Sequence, residues 1–329
     1  MAAIGAGSWG TALAIQLART GVETRLWGRD ADAISQMREE RENTQYLPDC
    51  PYPEPLHPEP DLQAAISGAD DVLVSVPSHA LRETLERISP YLQSEQRIIW
   101  ATKGLEPESA KLPHQVAAEV LGDARPTAVL SGPSFAREVG RGLPTAVTIA
   151  STDEAFADDM AVAFHDGTFR VYTSEDVIGV GVGGAVKNVL AIAVGISDGL
   201  GFGANARALL ITRGLSEMVR LGEPFGGKRE TFMGMAGLGD LLLTCTDDQS
   251  RNRRMGLALA AGKDVDGAQR EIRQVVEGVR VAREVDRIAQ QMGVEMPIAH
   301  QAYRVLHEGA TPQEAVRVLT GRPSRDEID

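Results

Sequence analysis

Met1-Ala2-Ala3-Ile4 leads without a break into Gly5-Ala6-Gly7-Ser8-Trp9-Gly10, and that into Thr11-Ala12-Leu13-Ala14-Ile15-Gln16-Leu17-Ala18. The first four residues suit a buried strand and the glycines a turn, while the last eight repeat their apolar positions at helical spacing. In a strand–turn–helix unit of this kind Gly5 permits the tight turn and Gly7 lets the backbone approach a pyrophosphate. Gly10 allows helix and strand to pack closely, with the phosphates facing the helix N-terminus. The glycine fingerprint alone is weak. A second strand, Glu23–Trp27, follows Gly21 at the spacing of a βαβ unit, and the two together point to a dinucleotide site. A first strand of only three or four residues suggests a native start upstream of Met1.

In NAD-specific sites an acidic residue at the end of the second strand binds the adenosine ribose hydroxyls. Here that place falls on Gly28, followed by Arg29 and Asp30. A glycine removes the carboxylate that would repel a 2′-phosphate, and an adjacent guanidinium can hold one. NADP(H) is therefore expected, with NAD(H) also possible, and Asp30 reads as a helix N-cap.

Further strands follow at Asp71–Val76, Arg97–Ala101, Thr127–Leu130, Thr145–Ala150 and Phe169–Thr173, the first of them almost wholly apolar, as a parallel strand covered on both faces should be. The turns after the third, fourth and fifth strands, around Pro77-Ser78, Thr102-Lys103-Gly104 and Ser131-Gly132-Pro133-Ser134, line one crevice, since ligands of doubly wound sheets sit outside the carboxyl ends of strands. Lys103 directly follows a buried strand and so faces the crevice floor. Pro51–Pro60 is proline-rich and reads as an irregular loop.

From Val177 onward strands stop. Five glycines fall at 179, 181, 183, 184 and 195, yet the apolar continuation through Ile196 argues for a helix. Gly179, Gly183, Lys187, Ala191 and Gly195 share one face at i, i+4 spacing. Each glycine costs a helix up to about 1 kcal/mol relative to alanine, so the stripe needs a packing or functional cause. Lys187 is the single long charged residue on it and is a catalytic candidate, against the alternative of an ion-paired structural lysine. Downstream, Asp240 stands at the head of an apolar helix, Leu241–Thr244. Ser250-Arg251-Asn252-Arg253-Arg254 then gathers three arginines, an amide and a hydroxyl, groups that suit a phosphate. The alternative is a solvated basic face paired with Asp247 and Asp248. Amphipathic helices are expected over Arg270–Met292 and Ile298–His307 and after Thr311-Pro312-Gln313-Glu314, with a frayed polar end at Arg322–Asp329.

The sequence has 329 residues, 43% hydrophobic and 24% charged, the composition of an ordinary two-domain globular protein. Its 33 Lys and Arg against 46 Asp and Glu leave a net charge of −13, which excludes a general nucleic-acid binder and means that an anionic ligand must find a local cationic pocket. Cys50 and Cys245 are the only cysteines, which fits a reducing cytoplasm, and no histidine pair has the i, i+4 spacing of a helical metal site, so no metal is expected. No export signal is expected at the N-terminus. No membrane insertion is expected either, as the longest apolar candidate, Val189–Ile196, is short and glycine-interrupted.

These segments resemble one family closely, the bacterial NAD(P)-dependent sn-glycerol-3-phosphate dehydrogenases. The matching stretches are GAGSWGTALA (5–14), LWGRD (26–30), WATKGLE (100–106), SGPSFAREV (131–139), GGAVKNVLAI (183–192), FGANARALLITRG (202–214), GMAGLGDLLLTCTDDQSRNRR (234–254), QVVEG (274–278) and EMPI (295–298). They cover nearly the whole chain in order. The fold implied is α/β, an N-terminal Rossmann-like doubly wound sheet (1–176) followed by an all-α C-terminal domain (177–329). The resemblance implies reversible hydride transfer between the nicotinamide and C2 of glycerol 3-phosphate or dihydroxyacetone phosphate, serving phospholipid synthesis, with Lys187 as proton acceptor. A base is what alcohol oxidation needs, and a lysine near its ordinary pKa of about 10.4 is a poor one, so burial and Lys103 should depress Lys187 while Asp240 moderates the shift. The resemblance further implies that Gly5, Gly7, Ser8, Trp9, Gly10, Arg29, Lys103, Ala136, Arg251, Val275 and Glu277 surround the cofactor. Lys103, Gly132, Ser134, Lys187, Asp240, Ser250, Arg251 and Asn252 would surround the substrate. A homodimer through the helical half is a family analogy. Two rivals remain at this stage: a β-hydroxyacid dehydrogenase, whose carboxylate substrates do not require the 250–254 cluster, and a non-catalytic NADP(H) sensor, which has no reason to keep Lys103, Lys187 and Asp240.

Overall fold

The structure, a computed structural model, describes residues 1–323. One eight-stranded sheet runs in the order β3-β2-β1-β4-β5-β6-β7-β8. Its strands are β1 Ala2–Ile4, β2 Thr24–Trp27, β3 Leu56–Pro58, β4 Asp71–Val74, β5 Arg97–Trp100, β6 Thr127–Ser131, β7 Thr145–Ser151 and β8 Phe169–Ser174. Strands β1 to β6 are parallel, β7 turns antiparallel to β6, and β8 is parallel to β7. Every residue of β1 and β4 is buried, because helices cover both faces of the sheet: Leu13, Ile15 and Leu17 lie in the core on one face, Ile66, Leu85 and Ile88 in that on the other. The reversal of strand order on either side of β1 opens the crevice above the glycine turn.

The Pro51–Pro60 stretch, expected as irregular, contains β3. Among the described residues only β2 pairs with it, and Leu26 O accepts from Glu59 N (2.8 Å), so the ladder steps over Pro58, which an edge strand tolerates. The single helix expected over Arg270–Met292 is two, Val265–Ile272 and Glu277–Met292, because Arg273 closes the first in the left-handed region (φ 56°). That break starts the second helix at Glu277. Thr311 and Glu314 form the reciprocal cap of the helix Pro312–Thr320. Of the polar end, Arg322 pairs with Glu295 (3.1 Å), and residues 324–329 lie outside the described residues.

The helix Val177–Gly199 is the axis of the second half, wrapped by helices Gly203–Gly222, Asp240–Thr246, Arg251–Ala260, Glu277–Met292 and Pro297–His307. Among the described residues it alone is long and apolar enough to cross a membrane, but it is packed inside the protein as a core helix. Its glycines have a packing cause. A Cβ on Gly183 would stand 2.6 Å from Ala236 O and one on Gly195 2.2 Å from Arg253 O, so bare backbone is what lets two neighbouring segments lie directly on the axis. Those segments carry Asp240 and Asn252.

Candidate active site

Above the sheet the glycine turn is shaped as a cradle. Gly5 has φ +117°, and a Cβ there would meet Ser75 O at 2.3 Å; a Cβ on Gly10 would meet Gly5 O at 1.9 Å. Gly7, between them, faces open space. The helix Ser8–Arg19 has no side-chain cap, which leaves first-turn N–H groups for an anion, and the buried Trp9 indole Nε1 has no hydrogen-bond partner among the described residues. An open backbone face, uncapped N–H groups and an orphaned donor fit a dinucleotide pyrophosphate. Ser8 Oγ donates to Tyr46 O (2.7 Å), tying the loop after the second helix to the turn. Gly28 abuts Ala6 and Ile34, whose side-chain carbons would lie 3.0 Å from an added Cβ, so a side chain at this position would crowd both. Arg29 is exposed, and Asp30 caps the helix Ala31–Glu40 by accepting from Ala33 N (3.0 Å).

Across the crevice three charged side chains meet. Lys187 Nζ donates to Asp240 Oδ1 (2.6 Å) and to Thr244 Oγ1 (3.0 Å), while Lys103 Nζ donates to Asp240 Oδ2 (2.8 Å) and to Gly132 O (3.1 Å). Lys103 comes from the turn after β5, Lys187 from the middle of the axial helix and Asp240 from the first position of its own helix. Gly184 leaves the space that Lys103 crosses, since a Cβ there would lie 3.5 Å from Lys103 Cγ and 3.3 Å from Ser131 Oγ. Lys187 is 7% and Asp240 2% exposed. Burial lowers the Lys187 ammonium, Asp240 opposes that and Lys103 adds to it, leaving it at about 8. Burial alone would raise Asp240, but the two ammonium groups hold it below its ordinary value.

The phosphate candidates separate into distinct roles. Ser250 caps the helix Arg251–Ala260, its oxygen accepting from Arg253 N (3.2 Å). Asn252 Nδ2 donates to Asn188 Oδ1 (2.9 Å) and its Oδ1 accepts from Gly278 N (3.0 Å), which fixes the amide beside the axial helix one residue past Lys187. Arg251 is walled by protein yet open to water; burial lowers its guanidinium, and the carboxylate of Glu277 opposes this. Arg253, counted with the cationic cluster in the sequence, is instead spent on a buried ion pair with Asp198 (2.8 Å) and on Asp248, because Asp198 of the axial helix needs a counter-charge that Arg207 only partly supplies. Ser134 Oγ donates to Gly132 O (2.9 Å), and Ala136 opens the helix that follows. Glu277 accepts from Ser78 Oγ (3.0 Å), with burial raising its carboxyl and Arg251 and Arg280 among the groups opposing that. Val275 is exposed in the break before Glu277.

Ser78 and Ser131 lie in turns expected to line the crevice but were not expected as site residues, and Asn188 and Thr244 were not expected at all. Asn188 is a polar residue beside Lys187 in an apolar helix, and Thr244 lies four residues after Asp240 on the same face, so both carried a signal. Ser131 Oγ is buried with no partner among the described residues. A cavity of about 540 Å³ between residues 259–266 and 305–313 holds none of these groups.

Residues 1–157 match the model of the NAD-dependent glycerol-3-phosphate dehydrogenase N-terminus and residues 176–317 that of its C-terminus. A Thioalkalivibrio sulfidiphilus protein named glycerol-3-phosphate dehydrogenase, NAD(P)+, is 57% identical over 328 residues, covering 100% of this chain and 98% of its own. One of the same name from Aeromonas hydrophila is 56% identical over 98% of this chain and 97% of its own. The crystal structure of glycerol-3-phosphate dehydrogenase from Coxiella burnetii superposes with a TM-score of 0.93 at 51% identity, covering 97% of this chain and 98% of that one. The chain belongs to the NAD-dependent glycerol-3-phosphate dehydrogenase family.

Proposed function

We propose that the protein interconverts sn-glycerol 3-phosphate and dihydroxyacetone phosphate with NADP(H) or NAD(H), and that Lys187 is the proton acceptor. The observation that carries the assignment of Lys187 is its buried bond to Asp240, which Lys103 shares from the opposite side. With a pKa of about 8, roughly a tenth of Lys187 is neutral at pH 7, against about three in ten thousand for an ordinary lysine. A neutral amine takes the C2 hydroxyl proton as the carbinol becomes a carbonyl; in reduction the ammonium hydrogen-bonds the carbonyl oxygen and returns the proton. The bound nicotinamide supplies the hydride acceptor or donor at C4. Asp240 fixes both lysine heads, and Lys103, already bonded to Asp240 and Gly132, turns its one remaining donor to a substrate oxygen. Ser250, Arg251 and Asn252 hold the phosphate, the arginine by a charge-assisted fork and the other two by directional bonds, with Gly132 and Ser134 closing the side of the site.

The chain divides into two units, 1–176 for the dinucleotide and 177–329 for the substrate. The enzyme works in the cytoplasm, as a homodimer, and its product supplies the backbone of phospholipids. Oxidation of NADPH driven by dihydroxyacetone phosphate tests substrate and cofactor together. Lys187→Ala should lose turnover by about a hundredfold or more while still binding NADPH; retained turnover would remove Lys187 from the role.

A further inference from the structure

The geometry points to a second grip on the cofactor from the helical half: we infer that Arg280 joins Arg29 in holding the 2′-phosphate of NADP(H). This deepens the reading of the protein as an NAD(P)-dependent dehydrogenase and rests on it.

Arg29 lies two residues after β2, where the second strand of a dinucleotide fold meets the adenosine ribose, and Gly28 between them carries no carboxylate. Arg280 comes from the other half of the molecule. The helix Glu277–Met292 is seated on the turn after β4 by the bond from Ser78 Oγ to Glu277 (3.0 Å). Val281 packs inward against Gly104, where an added Cβ would lie 3.2 Å from its Cγ2. With Gly278 and Val281 facing in, Arg280 stands exposed on the rim of the crevice. The turns after β2 and β4 are separated only by β1, a gap of about 10 Å at ordinary strand spacing. The imidazole of His79, in the turn after β4, feels both guanidiniums: its pKa is lowered by burial, then by Arg280 and by Arg29.

Neither Arg29 nor Arg280 has a hydrogen bond or ion pair among the described residues, although the protein carries a net charge of −13. Asp30, next to Arg29 in sequence, is engaged in capping its helix, and Glu277, one turn before Arg280, accepts from Ser78. Two unspent guanidiniums on opposite walls suit a dianionic phosphate, which takes a fork from each. Preference for the phosphorylated dinucleotide would then depend on both halves being docked.

The test is steady-state kinetics with dihydroxyacetone phosphate and each reduced cofactor, together with calorimetry using adenosine 2′,5′-bisphosphate and AMP as probes. Arg280→Ala should raise the ratio of the NADPH to the NADH KM about tenfold and weaken adenosine 2′,5′-bisphosphate by a similar factor, with little change for AMP. Arg280→Lys should recover part of the loss, and Arg280→Glu should move the ratio further. Equal shifts for both cofactors, or no shift, would overturn the proposal. If the unaltered enzyme oxidises neither cofactor with dihydroxyacetone phosphate, the reaction assignment fails instead, and the calorimetry still decides Arg280.

Discussion

Two of the carboxylates buried in the helical half, Asp240 and Glu217, are each 2% exposed and behave in opposite ways. Asp240 lies between two ammonium groups, which outweigh its desolvation and keep it charged. Among the described residues Glu217 has only backbone donors within hydrogen-bond distance, Ile298 N (2.6 Å) and Ala299 N (3.1 Å), at the start of the helix Pro297–His307, and burial pushes it up to about 7. A formal counter-charge at contact distance thus decides whether a buried acid is a fixed charge or a titrating group. The first arrangement can set the proton affinity of a neighbouring lysine. The second can only fasten a helix.

Removing the fixed charge should have the largest effect. Asp240→Asn leaves the buried Lys187 and the half-buried Lys103 without their shared counter-ion, and breaking a buried pair such as Lys187–Asp240 costs about 3–5 kcal/mol. Turnover should fall a hundredfold or more, and the acid limb of kcat/KM for glycerol 3-phosphate should move below its position in the unaltered enzyme, because the partner that raises the Lys187 pKa is gone. A limb that stays in place would show that Asp240 does not control Lys187. In the unaltered enzyme, oxidation needs neutral Lys187, so kcat/KM should rise about tenfold between pH 7 and 9 through a pKa of about 8, while the reductive rate falls over the same range.

The same contrast marks what the chain discloses on its own. The glycine turn, seven of the strands, Lys187 and Asp240 are legible because each depends on neighbours close in sequence: apolar runs, glycines at fixed offsets, one charge on a small-residue face. Strand β3 is hidden because its prolines signal a loop, and only its place at the sheet edge makes Pro58 acceptable. The break at Arg273 is hidden because a left-handed arginine carries no mark such as glycine would. The fate of Arg253 is hidden because its partner, Asp198, lies 55 residues away on a helix whose contacts the local pattern does not reveal. Asn188 and Thr244 were visible as polar residues, but their function depends on which helix faces them.

Glu217 offers the next test, on stability rather than on turnover. Its folded pKa of about 7 lies above its ordinary 4.5, so the folded protein binds the proton more tightly. The stabilisation is fully present below pH 4.5 and is lost as pH rises through 7, a change on the order of 3 kcal/mol. In Glu217→Gln that part of the slope should vanish from the melting temperature measured between pH 5 and 8, whatever constant offset the lost acceptor introduces. A slope unchanged by the substitution would mean that the carboxylate finds a counter-charge after all and belongs with Asp240.

The smallest effect falls to Thr244, whose hydroxyl accepts from Lys187 Nζ (3.0 Å) and donates to Asp240 O (2.5 Å). Thr244→Val keeps the shape and removes one neutral acceptor from a buried ammonium that still has Asp240. A neutral hydrogen bond contributes about 1 kcal/mol, so the acid limb should move down by less than one pH unit and turnover should change only a few-fold. A shift as large as that of Asp240→Asn would show that the hydroxyl, and not the carboxylate, sets the proton affinity of Lys187. Formal charge at contact distance would then not be what distinguishes the two buried acids.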